Sequence, residues 1–185
     1  MANLPEPERA APAGREVCIT RDFDASPEAV FAAWTDPARL AQWFAPRGAA
    51  LTFLECDARP GGAVRYCITG PDGSECWCAG AYRKVVPPRR LVQSMALTDR
   101  HGKRLEAGAS GKDPEWPVET LVTVTFEPIP GGTRLMLRQT APESVARRTG
   151  AYAGWMSMLD RLGGLCADDL VAVSTRRAAA HREAR

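Results

Sequence analysis

Six cysteines, two histidines and a scatter of carboxylates are the residues of this 185-residue chain whose types could do chemistry. Cys76 and Cys78 make a C-x-C, but no second cysteine pair and no histidine stands at the spacing of a tetrahedral zinc site. His101 falls in a polar stretch and His181 near the C-terminus, so neither is placed as a base in a pocket. That scarcity weighs against triad, dyad and zinc-hydrolase mechanisms. Glu55, Tyr152 and Asp160 remain as acid or base candidates, without a special spacing. Asp57, Arg59, Pro60, Gly61 and Gly62 read as a tight turn in which the carboxylate and guanidinium pair or bond local backbone. The functional alternative makes Arg59 an anion contact at a cavity rim. No metal or nucleotide motif occurs, so no cofactor and no metal are expected.

The elements that must position these residues belong to one globular domain, given 45% hydrophobic and 25% charged residues. No stretch approaches the ~20 apolar residues of a membrane helix, and MANLPEPERAAPAGR lacks the order of a secretory signal. The expectation is a cytoplasmic protein with reduced thiols and no membrane span. The net charge of +2 is unevenly spread: residues 173–185 carry four Arg against Glu183, while residues 16–172 hold 18 basic against 19 acidic groups. A near-neutral body with its basic excess in a tail is not the pattern of a nucleic-acid binder.

Residues 1–14, rich in Pro and Ala, read as a disordered arm, residues 15–172 as the domain, and 173–185 as a basic tail, either a frayed helix end or disorder. EVCITRDF (16–23) alternates as a strand. Ser26-Pro27-Glu28 and then Asp36-Pro37 start two short helices in tandem, with Val30, Phe31, Trp34, Leu40, Trp43 and Phe44 facing inward. From Leu51 to Thr140, strand-like runs alternate with Gly and Pro punctuation, which predicts an antiparallel meander. A four-residue loop at GPDG would pair Thr69 with Ser74, setting Cys67 opposite Cys76 and Arg65 opposite Cys78. Val64, Tyr66, Ile68, Trp77 and Ala79 would then form the interior face. Val145, Tyr152, Trp155, Met156, Leu159, Leu162, Cys166 and Leu170 recur at helical spacing and predict one long helix over 145–170. Gly163 and Gly164 within it mark close packing or a bend. Residues 98–117, polar and Gly-rich, read as a surface loop or as a lid that Trp116 could dock.

The blocks TRDFDASPEAVFAAWTDPARLAQWFAP, DARPGGAVRY, GPDGSE, GAYRKVVPPRRLV, GGTRLMLRQ and GWMSMLDRL occur in this order from about Glu16 to Leu170. Together they resemble the bacterial proteins similar to the activator of the ninety-kilodalton heat-shock chaperone's ATPase, within the START-like (SRPBCC) superfamily. The resemblance implies an α+β helix-grip fold: a curved antiparallel sheet of about seven strands wrapped around a long C-terminal helix, with two short helices after the first strand. It also implies an elongated cavity between sheet and helix that takes hydrophobic small molecules, and one mouth of that cavity near Trp43. The chain departs from the family pattern in its cysteine cluster and in the length of 98–117.

The expected ligand contacts are Trp43, Tyr66, Trp77, Met95, Val122, Val124, Tyr152, Trp155, Met156 and Leu159, with Tyr152 able to supply a polar end. For most of them simple packing is the competing role. The reading that follows is a carrier, sensor or stress-response protein for an aromatic or lipid-like molecule. A cyclase, dehydratase or hydrolase acting on a polyketide-like or aromatic substrate is the alternative, and a chaperone-associated regulator a third. A homodimer stays open as a further partnership.

Overall fold

The computed structural model describes residues 15–109 and 113–183, with side chains followed to residue 167; the expected N-terminal arm, 1–14, lies outside the described residues. Seven strands, β1 (Glu16–Phe23), β2 (Ala50–Cys56), β3 (Ala63–Thr69), β4 (Glu75–Val86), β5 (Arg90–Thr98), β6 (Thr120–Ile129) and β7 (Gly132–Pro142), form one curved antiparallel sheet. Its order is β1-β7-β6-β5-β4-β3-β2, so consecutive strands are neighbours from β2 to β7 and the first strand returns to lie beside the last. Four helices, α1 (Pro27–Thr35), α2 (Pro37–Trp43), α3 (Glu143–Arg148) and α4 (Ala151–Glu183), complete the architecture. No helix among the described residues is long and apolar enough to cross a membrane.

Strict alternation sets the inner face. Val17, Ile19 and Phe23, Val64 and Tyr66, Val122, Val124 and Phe126, and Leu135 and Leu137 are all buried. The pairs Ile19↔Leu137↔Val124↔Leu91 show one such row crossing four strands. The opposite face carries Asp22–Arg134 and Glu16–Arg138 ion pairs between β1 and β7, in contact with solvent.

The two short helices follow from their caps. Ser26 Oγ accepts from the Ala29 amide at 3.3 Å, and Pro27 opens α1 without wasting a donor. Asp36 ends α1 and caps α2, its Oδ1 accepting from the Ala38 amide at 2.9 Å. Because one residue serves both ends, the helices meet at a sharp corner, and Trp34 and Trp43 come together with ring centroids 4.7 Å apart. Trp43 Nε1 donates to the Ala33 carbonyl at 2.9 Å, which locks the corner.

Two expectations are corrected. The β3–β4 loop is longer by one residue than the GPDG reading assumed: Thr69 pairs with Glu75, Ile68 with Cys76, Cys67 with Trp77 and Tyr66 with Cys78. Gly70 N donates to Ser74 O, and Gly73 sits at φ +78°, as in hairpins whose type I turn is followed by a left-handed residue. One extra residue exchanges every β4 side chain between faces. Cys76 and Cys78 therefore lie on the concave face, while Trp77 and Ala79 join Arg65 and Cys67 on the convex one.

The helix expected over 145–170 is instead two. α3 ends at Arg148, Gly150 takes φ +80°, and α4 starts at Ala151, its backbone helical to Glu183 and so into the segment read as a tail. Close packing does not require glycine at 163, since a Cβ there would meet Phe23 Cε1 at an ordinary 3.8 Å.

Gly80 marks a sharper constraint. It faces Met95 across β4–β5, and a Cβ on it would fall 1.7 Å from the Ser94 carbonyl oxygen. The strands approach there more closely than any side chain allows. Gly80→Ala is expected to destabilise the domain by at least the ~1–3 kcal/mol of an overpacked core, read as a lowered urea midpoint with unchanged m-value.

Candidate functional site

The face of the sheet turned toward α4 is closed by an aromatic cluster at one end and carries half-buried apolar side chains at the other. At the closed end, Trp34 lies at the centre of the cluster, meeting Phe44 at 6.1 Å, Phe126 at 6.4 Å and Trp155 at 6.2 Å, the last in a stacked arrangement. Its Nε1 is buried without a hydrogen-bond partner, so shape and dispersion hold it there. Of the expected ligand contacts, Trp43, Val122, Val124, Trp155 and Leu159 belong to this core, each no more than 4% exposed. Trp77 is brought elsewhere: on the convex face its Nε1 donates to Glu75 at 2.8 Å, and the Arg65 guanidinium lies 5.9 Å from its ring.

Of the other four expected residues, Tyr66 and Met95 adjoin each other on the concave face, while Tyr152 and Met156 lie on the first turns of α4. Register places Leu51, Ile68 and Cys76 in one row, and Phe53, Tyr66, Cys78 and Leu97 in the next, all on the concave face. Most of these side chains are half-buried, as are Met95, Tyr152 and Met156, although each packs against the core. α4 lies against β1, α1, α2 and α3, pinned by Arg21 to Asp160 at 2.8 Å and by Arg161 to the Ala45 carbonyl at 2.6 Å. It is thus held at the β1 side, and the half-buried apolar side chains lie on the β2–β5 side.

Between the two regions runs a buried polar strip that sequence reasoning missed. Trp155 Nε1 donates to Gln139 Oε1 at 2.8 Å, Gln139 Nε2 to Thr120 Oγ1 at 3.1 Å, and Gln93 Nε2 lies 3.3 Å from Met95 Sδ. Tyr66 Oη points at the same sulfur from 3.9 Å. Gln93, Thr120 and Gln139 occupy inward positions on their strands, and a polar residue at the apolar parity was the signal available. Burial pushes the Tyr66 phenol well above its ordinary range, with the Cys78 thiol adding to the effect.

Residues 99–109 and 113–119 run beside β5. Asp99 Oδ1 accepts from the His101 and Lys103 amides at 2.8 and 2.9 Å, and Leu105 N donates to Leu97 O at 2.9 Å, so the segment folds back on β5. Arg148 of α3 grips Asp113 at 2.6 Å and also pairs with Glu115, while Arg104 pairs with Glu119 at 2.5 Å. Trp116 is half-buried against the core. The pocket beneath, lined by Leu97, Leu105, Trp116 and Pro117 among others, has a volume of ≈10 Å³, about the room of one water. Arg148 holds the Asp113 carboxyl below its ordinary value.

The acid and base candidates do not converge. Asp160 is tied to Arg21, Glu55 pairs in register with Arg65 on the convex face, and the Tyr152 ring lies under the Arg147 guanidinium at 3.9 Å. Arg59 binds Asp57 at 2.7 and 2.6 Å as a turn pair, and this pairing holds the Asp57 carboxyl low. All six cysteines are unbridged. The Cys56 thiol lies 3.7 Å from Tyr82 Oη, and burial raises both, which disfavours a reactive thiolate. Among the described residues no three His, Cys, Asp or Glu side chains gather as metal ligands. An open cleft of ≈300 Å³ between α2 and α4 is lined by Gln42, Arg47, Asp160, Arg161, Gly164 and Leu165 and is polar. Its Asp160 and Arg161 are spent on the contacts that pin α4.

Solved structures share this arrangement. A crystal structure of a protein from Chromobacterium violaceum is 28% identical, covering 81% of this chain and 95% of its own, with a TM-score of 0.68. A solution structure from Arthrobacter aurescens is 24% identical over 82% of this chain and 85% of its own, with a TM-score of 0.71. The AHSA1 protein from Silicibacter pomeroyi is 24% identical over 84% of this chain and 99% of its own, with a TM-score of 0.67. Among curated proteins no relative matches. The model of one family, described as activator of Hsp90 ATPase homolog 1-like protein, matches residues 24–167, which span α1 through the first half of α4. The chain belongs to the activator of Hsp90 ATPase homolog 1-like family, of the START-like type.

Proposed function

We propose that this protein binds an apolar small molecule, aromatic or lipid-like, in the groove between the β2–β5 half of the sheet and the start of α4. The observation that carries the reading is the half-buried apolar surface of Leu51, Phe53, Ile68, Met95, Leu97 and Met156 on the face that elsewhere forms the core. Apolar area left only partly covered favours a ligand that removes it from water, at about 25 cal/mol per Å². Membership of a family that commonly binds hydrophobic ligands supports it. The scattered acid and base candidates favour binding over catalysis, with the protein acting as a carrier or sensor.

Saturable binding of N-phenylnaphthylamine, quenching Trp emission and raising the melting temperature, is the expected result. At a hundredfold excess over Kd the native state gains about 2.7 kcal/mol. Met156→Trp should fill groove volume and weaken dye binding at least several-fold, while urea unfolding changes little at so half-buried a position. Unchanged dye affinity beside a severe loss of stability would place Met156 in the core and remove the groove from consideration.

Residues 99–109 and 113–119 act as a lid in this reading, and their latch to α3 is electrostatic. Exposed ion pairs contribute roughly 0–1 kcal/mol each, so opening is easy. Arg148→Ala should leave the melting temperature nearly unaltered yet speed dye association in stopped-flow mixing. A carboxyl whose pKa is depressed on folding stabilises the closed form above its ordinary value and loses that contribution as pH falls through the depressed one. Because Asp113 is of this kind, association rates should stay flat between pH 5 and 8 and rise only below about pH 4.

A further inference from the structure

Two strong hydrogen-bond donors at the floor of the groove share one weak acceptor. Gln93 Nε2 lies 3.3 Å and Tyr66 Oη 3.9 Å from Met95 Sδ, and both donor residues are more than nine-tenths buried. A thioether is a poor acceptor, and the other group interacting with the Tyr66 hydroxyl, the Cys78 thiol, is also sulfur. The neighbouring Gln139 shows what a satisfied amide looks like here, with an indole donor at 2.8 Å and a hydroxyl at 3.1 Å. Met95 is half-buried, unbranched and rotatable, so its sulfur can swing aside and free both donors toward the groove.

The charge of the missing acceptor follows from the surroundings. Arg65 points from the opposite face, donating to the Arg100 carbonyl and lying near Trp77, and Arg21 is paired with Asp160 on α4. A carboxylate brought to Tyr66 and Gln93 would be buried beside neutral donors alone, which is costly, whereas a neutral oxygen needs only hydrogen bonds. Burial keeps the Tyr66 phenol protonated and therefore a donor.

We propose that the ligand carries a neutral carbonyl oxygen, as in a ketone, ester, lactone or amide, which replaces Met95 Sδ between Tyr66 Oη and Gln93 Nε2. This rests on the groove being the binding site and names the chemical class of its occupant.

Fluorenone and fluorene, alike in shape and differing in one carbonyl, make the test, each competed against N-phenylnaphthylamine. The wild-type protein should bind fluorenone about tenfold more tightly than fluorene, the yield of two buried neutral hydrogen bonds. Tyr66→Phe and Gln93→Leu should each cut that preference about threefold and leave fluorene affinity unchanged. The infrared carbonyl band of bound fluorenone should sit at lower frequency in the wild type than in Tyr66→Phe, and the wild-type shift relative to hydrocarbon solvent decides the matter even if a variant does not fold. Equal affinity for the two probes, or an unshifted band, overturns the carbonyl and leaves an apolar groove. If neither probe displaces the dye, or the dye itself does not bind, the groove reading falls and this proposal with it.

Discussion

The stacking of Trp155 on Trp34 is the contact on which the other arrangements depend. Trp34 sits on α1 at the corner that Asp36 makes with α2, and Trp155 sits on α4 with its indole nitrogen bonded to Gln139 of β7. One pair of rings thereby joins three helices to the sheet. Aromatic pairs contribute about 0.5–1.5 kcal/mol beyond their area burial, and here they also fix where α4 can lie. A helix fastened at the β1 side of a curved sheet cannot simultaneously touch the far strands. The half-buried apolar face of β2–β5 is the geometric remainder of that fastening.

The same fastening explains why packing differs along the sheet. β1, β6 and β7 face the aromatic cluster and are closed to water, while the inner faces of β2–β5 are finished by longer, softer side chains such as Met95, Met156 and Leu97. Such side chains repack at small cost. Residues 99–109 and 113–119 add a second adjustable layer, because their attachments are ion pairs near the surface and turns that Asp99 and Asp113 make with local amides. A rigid half and an adaptable half coexist in one domain without a domain boundary.

Much of this was legible in the amino-acid order. The caps at Ser26 and Asp36, the meander and the helix stripe follow from local rules that tertiary contacts did not override. The failures were equally local. A reading of GPDG as the entire loop missed Ser74, and that residue moved Trp77 from the candidate site to the outer face while bringing Cys76 and Cys78 inward. Thr149-Gly150 looked like helix interior because Val145 and Tyr152 keep a seven-residue spacing across a break. Within the candidate site, depth was invisible: Val122, Val124, Trp155 and Leu159 have the right periodicity for either packing or contact, and only their near-complete burial separates the two. Gln93 and Gln139 escaped notice because a scan for apolar positions passes over polar residues that share their face.

The pairing of β1 with β7 has a bearing on how the chain is made. The Arg15 carbonyl accepts from the Glu143 amide at 2.7 Å, and Asp22 meets Arg134, 112 positions further on, at 2.8 Å. During synthesis β1, α1 and α2 therefore emerge long before their partners exist, while β2 to β6 can zip in order as each hairpin appears. Trp34 has no Trp155 to stack on until the last helix is translated, so the early segment stays apolar and uncovered for most of that time. Pairings between such distant segments slow folding and expose the chain to association with others. Among the described residues, 16–43 thus wait longest for their partners, and the aromatic cluster can close only after α4 has begun to emerge.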